Sequence, residues 1–374
     1  MAHLIKKAVF AAAVTAMVAA SVTPAYADPA PGVTPAATDI VGVGSDTTQD
    51  LVGALATAYN GQAQAGAPKV YSWNATPANT KIIPKAGATE IGRPDGSGAG
   101  INALRDDTKG DIDFARSSSS RSSTTPSTMA FLALAQDGVT WATIPGSNAP
   151  VSLLKSQLAS IYTCSPKAIY WDQVGGKKTL HIKKTTKWVW VIKKVHGKKK
   201  RVHVKRTIIT KTYTRNLIKP YIPQAGSGTR KFWVAALGLI DTQLGSCVKT
   251  TQENTGTALP KNANVIAPYS IGKWIAQAVH KHNDQHGVYV LHQINKSAPT
   301  EGTGTGVQLS VSFSSQFLRL VYNVVKKTPG TENIDPKYTA VFGTAAAGGY
   351  FCSRPDVIKD YGFLPLGAGC GLQS

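Results

Sequence analysis

Apolar and polar positions divide this chain into segments of distinct period. Ala8–Ala20 is an almost unbroken apolar run behind Lys6 and Lys7. Ile40-Val41 is a short apolar strand that enters the turn-forming run Gly42-Val43-Gly44-Ser45-Asp46-Thr47-Thr48. Leu51–Tyr59 follows with the composition and spacing of a helix. The same order, a small-residue loop before an apolar helical stretch, recurs twice: Arg93–Gly100 before Ile101–Leu104, and Gln224–Arg230 before Phe232–Leu237. Between these lie two β-branched and aromatic runs, Thr186–Ile192 and Val202–Ile209, with Gly197 near the centre. They predict a long β-hairpin. A helix is expected from about Ile271, fraying into a solvated end at His280, His282, Asp284 and His286. Ser117–Ser123, broken only by Arg121, reads as a loop whose Ser117 and Ser118 line a cleft. Thr300–Gly306 reads as a flexible connector.

Charge changes the picture of the hairpin. The 374 residues carry a net charge of +21, but Lys177–Arg215 contains fifteen Lys or Arg and no acid. Removing that segment (21 − 15) and then Lys6 and Lys7 leaves about +4, so the body is nearly neutral and bears one basic module. Lys198, Lys199, Lys200 and Arg201 at its centre are the expected contacts to an anionic envelope polymer, lipid surface or other polyanion. The alternative is a solvated edge whose lysines oppose aggregation. Trp188 and Trp190 are expected to cover the body rather than stack on a ligand.

The N-terminus reads as a secretory signal, with a basic start, an apolar stretch of 13 residues and the small-x-small site Ala25-Tyr26-Ala27. Cleavage near Ala27 and export are expected, with no lipid anchor. Four cysteines without a Cys-x-x-Cys fit disulfides in an oxidising compartment. Three connectivities are open; Cys164 with Cys247 and Cys352 with Cys370 keeps each pair within one region.

The three loops share one chemistry. Each sets glycines and hydroxyls at a helix N-terminus, where free N–H groups and the helix dipole favour an anion. One such loop is explained by N-capping alone; three in one chain suggest a common ligand. None is a Walker loop or a dinucleotide fingerprint. At these residues the chain resembles the phosphate-binding protein of bacterial high-affinity phosphate ABC transporters, in an actinobacterial-type branch. Also similar are Gly110–Ser118, Leu158–Tyr162 followed by Trp171, and Asp360–Phe363.

That resemblance implies an α/β, two-lobed type II periplasmic-binding-protein fold with phosphate, or a related oxyanion, between the lobes. The expected division is a signal at 1–27, first lobe at 28–143, second lobe at 144–287 containing the hairpin at 177–215, and return to the first lobe at 288–374. The chain would cross at Val139–Pro150 and return near Gly287–Leu291. Site residues implied by the resemblance are Asp46 and Thr47, Ser97, and Ser227, Gly228 and Thr229; Ser45, Gly98, Ser117 and Ser118 complete the loops. Ser118 stands where the family has the Asp that accepts the phosphate proton, and Pro223 where it has an Arg. Asp46 is the candidate replacement acceptor, and Arg116 or Arg230 the candidate replacement guanidinium.

The function expected is a secreted, monomeric, non-enzymatic solute-binding protein delivering phosphate to an ABC permease, with no cofactor and no metal site. The alternatives are an envelope interaction protein acting through its hairpin and, last, a phosphate-ester hydrolase, for which no nucleophile or metal set can be assembled.

Overall fold

The computed structural model describes residues 28–374; the expected leader at 1–27 lies outside the described residues. The principal strands are β1 (Ile40–Gly44), β2 (Val70–Ser72), β3 (Phe114–Ser117), β4 (Met129–Thr143), β5 (Thr179–Val195), β6 (Lys198–Thr214), β7 (Lys219–Pro223), β8 (Lys249–Thr251), β9 (Val265–Ser270) and β10 (Leu318–Lys326). Between and after them run α1 (Gln49–Asn60), α2 (Ser97–Asp106), α3 (Lys155–Tyr162), α4 (Gly228–Ala236), α5 (Ile271–Trp274), α6 (Pro336–Phe342) and α7 (Pro355–Asp360). The predicted strand before the first loop and the helices after all three loops are present.

The main sheet runs β8-β7-β9-β4-β10-β3-β1-β2. Its ends are parallel: β1 lies between β2 and β3, and β7 between β8 and β9. Its middle is antiparallel. The 15-residue β4 pairs with β10 as far as Gly138 and with β9 from Val139 onward. One strand therefore serves two cores. Ile40, Leu51, Leu55, Phe114, Leu132, Phe342 and Ile358 pack on the side of β1 and α1. Val139, Trp141, Tyr162, Trp171, Trp233 and Ile266 pack on the side of α3 and α4. Parallel strands covered by helices in this way are apolar along their whole length, as Ile40–Gly44 is.

The change of partners at Gly138/Val139 falls within β4, at the start of the expected crossing. The return differs from expectation. Val290–Leu291 still pairs with the second half of β4, and Ile294, Leu309, Phe313 and Phe317 belong to the second core. Apolar side chains hold 288–317 there, and the chain goes back through β10.

The helix from Ile271 is shorter than its pattern suggested. After Trp274 it widens into a π-turn, Ile275–Val279, and stops there, so His280–His286 is not helical. Within the expected 177–215 the two hairpin strands run 17 residues each, beyond the aromatic and β-branched runs that predicted them. His196 and Gly197 both take positive φ (50° and 78°), the geometry of a two-residue turn between twisted strands. β5 and β6 pair only with each other among the described strands. Arg215, 3.1 Å from Asp172 and stacked over Tyr170, clamps the root. Trp188 and Trp190 do not cover the body: they are 61% and 59% exposed. Both disulfides form as expected, Cys164–Cys247 and Cys352–Cys370.

Candidate functional site

The loops after β1, before α2 and before α4 meet where the two cores face each other. Thr47 Oγ1, from the first loop, lies 3.4 Å from Thr229 Oγ1 at the start of α4. Ser45 Oγ and Ser97 Oγ lie 3.1 and 3.2 Å from Ser118 Oγ, and Ser97 also accepts the Ser118 N–H. Ser227 caps α4 by accepting from the Arg230 N–H. Gly228 is required by close approach: a Cβ there would stand 2.3 Å from both the Ser97 and Ser118 hydroxyl oxygens. All these hydroxyl side chains are buried. The Gly98 N–H donates to the Gly226 carbonyl at 2.9 Å, and Gln224 and Gln252 donate to Asp95, so the lobes touch directly.

The positive charge comes from an unexpected place. Arg319, on β10, donates to Thr229 Oγ1 at 2.9 Å and to the Ser118 carbonyl at 3.0 Å, while Asp137 on β4 holds its other edge at 2.8–3.0 Å. Arg116, one of the two expected guanidinium candidates, is fully buried but turned away. It binds the carbonyls of Gly44 and Ser45 and the Ser72 hydroxyl, fixing the first loop from behind. Burial pushes it down to about 10. Arg230 is also spoken for, forked onto Asp241 at 2.6–2.8 Å and bound to the Pro223 carbonyl. Ser117 spends its hydroxyl on the Ser119 carbonyl.

Two carboxyl groups enter the same space. Glu253 is fully buried; its Oε1 accepts from the Thr229 N–H at 3.0 Å and from Thr47 Oγ1 at 3.1 Å, and its Oε2 has no partner. Asp46 is buried beside it and accepts from Asn254. Burial, with Glu253 nearby, raises Asp46 well above the usual carboxylate range. Asn254 is seated by the Ser270 N–H and the Tyr269 hydroxyl. Arg319 and Asp137 stand outside the three loops and were not among the expected site residues. A signal was available: Asp137 is the one charge within β4, and Arg319 breaks the apolar run that opens β10.

Chemically, the cleft offers hydroxyl and N–H donors at a helix N-terminus, one guanidinium, and carboxyl groups able to accept or hold a proton. No protein-family model matches the sequence, and no curated protein matches it. Solved structures do. An ABC-type phosphate transport receptor from Vibrio cholerae superposes with a TM-score of 0.52 at 18% identity, over 87% of this chain and 99% of that one. A Clostridium perfringens protein assigned as a phosphate ABC transporter substrate-binding protein, solved with bound phosphate, gives 0.55 at 14% identity over 88% and 99%. The chain shares the fold of these two structures. No described helix is long and apolar enough to cross a membrane.

Proposed function

We propose that this chain is an exported, non-enzymatic solute-binding protein that closes its lobes on a protonated oxyanion, inorganic phosphate first, and hands it to an ABC permease. The observation that carries the reading is the convergence, from both lobes, of Ser45, Thr47, Ser97, Ser118 and Thr229 with Arg319 at the N-terminus of α4. Ligand oxygens would take those donors. In the closed arrangement Glu253 takes two of them, so an entering anion must displace its carboxylate, which then stands beside the ligand as proton acceptor. Sulfate has no proton to offer at neutral pH, so the acceptor discriminates against it. In this reading Glu253, not Asp46 alone, replaces the acid missing at Ser118.

Calorimetry on stripped protein tests this, with phosphate and then sulfate titrated at high salt to silence the hairpin. Tight binding of phosphate alone is expected. Glu253→Gln, which turns an acceptor into a group with donors, should weaken phosphate at least ~10-fold, on the scale of one lost charge-assisted hydrogen bond, while sulfate is affected less. No heat from either anion in a folded protein would overturn the proposal.

One observation favours a second reading: Glu253 already satisfies the α4 N-terminus from within. A site closed on its own side chain would leave the hairpin as the working part, an electrostatic contact to an anionic envelope polymer. Under the first reading the same hairpin tethers the receptor at the cell surface.

A further inference from the structure

The segment His280-Lys281-His282 ends the helical stretch that α5 begins. The His280 and His282 amides still reach back to the carbonyls of Ile275 and Ala276, at 3.1 and 2.9 Å. Between them Lys281 adopts φ +65°. On a regular helix, side chains two residues apart point to nearly opposite sides. Here the left-handed residue turns both imidazoles the same way: their rings lie within 6° of parallel, centroids 6.2 Å apart. Both meet one carboxylate, Asp360 at the end of α7. His280 Nδ1 is 3.2 Å from Oδ1 and His282 Nε2 is 2.8 Å from Oδ2. Tyr361 fixes the second ring by stacking on it at 4.1 Å. The Lys281 ammonium is drawn off to Asp284 at 3.1 Å.

We propose that His280, His282 and Asp360 bind a divalent transition-metal ion of the zinc class. Their donor atoms lie within 4.8 Å of one another. An ion ~2.1 Å from each donor in a tetrahedral site holds the donors ~3.4 Å apart, so small side-chain rotations bring the three together. Two imidazole nitrogens with one carboxylate suit zinc, cobalt or nickel and not calcium or magnesium, which take oxygen ligands. The cluster borders a cavity of about 310 Å³ that also touches Thr305, Gln308 and Phe363, giving a water ligand room. The expected solvated helix end thus holds this cluster instead, and His286 stays outside it, turned to Asp284.

The site joins two regions that otherwise touch through packing. Ile358 of α7 belongs to the first core, and Lys273 of α5 pairs with Asp50 of α1. An ion here fastens the C-terminal helix to the segment leaving the lobe junction. Nothing in this depends on what the cleft binds.

The test is a titration of the intact, chelator-stripped protein with Zn²⁺ by calorimetry and with Co²⁺ by visible absorption. One ion per chain is expected, bound at least ~10-fold more weakly in His282→Ala and in Asp360→Asn. Zn²⁺ should raise the melting temperature of the wild type and not of Asp360→Asn. His286→Ala and the hairpin variant His203→Ala should bind as the wild type does. Absence of saturable binding, binding unchanged in both ligand variants, or binding lost in His203→Ala would overturn the proposal.

Discussion

Asp137 is fully buried and receives four hydrogen bonds: two from Arg319, one from the Ser270 hydroxyl and one from the Gly272 N–H. Such a carboxylate is tolerable only while its cation stays. Arg319→Met should therefore cost about 3–5 kcal/mol, the range for breaking a buried pair from one side, read as a fall in the denaturation midpoint. It should also abolish anion binding, because Thr229 Oγ1 loses its charged neighbour. His292 gives a second residue-scale prediction. Burial against Trp141 lowers it to about 4, and its Nε2 sits 2.7 Å from Thr143 Oγ1. The folded state thus stays neutral where the unfolded chain, near 6.5, takes up a proton. Its contribution is intact above pH 6.5 and is lost as pH falls toward 4, by at most about 1.4 kcal/mol per unit. Urea midpoints at pH 7 and pH 5 should differ less in His292→Gln than in the wild type. At this scale the sequence was half legible. Glycines and hydroxyls in a loop announce their chemistry locally, so Ser97, Gly228 and Thr229 could be picked out. Arg319 and Asp137 meet only through the pairing of β4 with β10, and no local pattern reveals which lone charge faces a cleft.

Elements built from local pairing were the easiest to foresee. The hairpin follows from alternation and one turn, and its register, Trp188 opposite Lys205 and Trp190 opposite His203, places aromatic and basic groups on one face. What the pattern could not say was whether the body covers that face. In the structure Trp190 stacks on His203 at 4.6 Å with Arg201 above it at 5.7 Å, all outside the core. Binding through this element should be electrostatic. Replacing 179–214 by a short turn should leave the melting temperature within a few degrees, since neither β5 nor β6 pairs with the main sheet. Retention on anionic vesicles or polymers at low salt should vanish, whereas in the intact protein it should fade only as salt rises past about 0.15 M, where the screening length is ~8 Å. Retention unchanged by the deletion would show that the body carries the contact.

For the whole molecule, the two-lobed plan came from the family resemblance that the three loop-then-helix units carry. The partner change at Gly138/Val139 coincides with the start of the expected crossing. The return was missed, because apolar residues such as Ile294, Leu309 and Phe317 carry no local mark of which core they join. Since β4 contributes Leu132 to one core and Trp141 to the other, the lobes are coupled through a single backbone. Calorimetric unfolding of the oxidised protein should show one transition, with two resolved peaks counting against shared cooperativity.

The same strand order has a consequence for synthesis. β4 and β3 are not neighbours; β10 lies between them, bringing Lys326 to Met129, and the chain end adds Gln373 beside Leu132. The first half of the polypeptide leaves the ribosome with its central strands lacking the one that must separate them. That half cannot close early, and contacts so distant in sequence form slowly. The export proposed above requires a chain that stays unfolded until it has crossed, and this strand order favours such a delay.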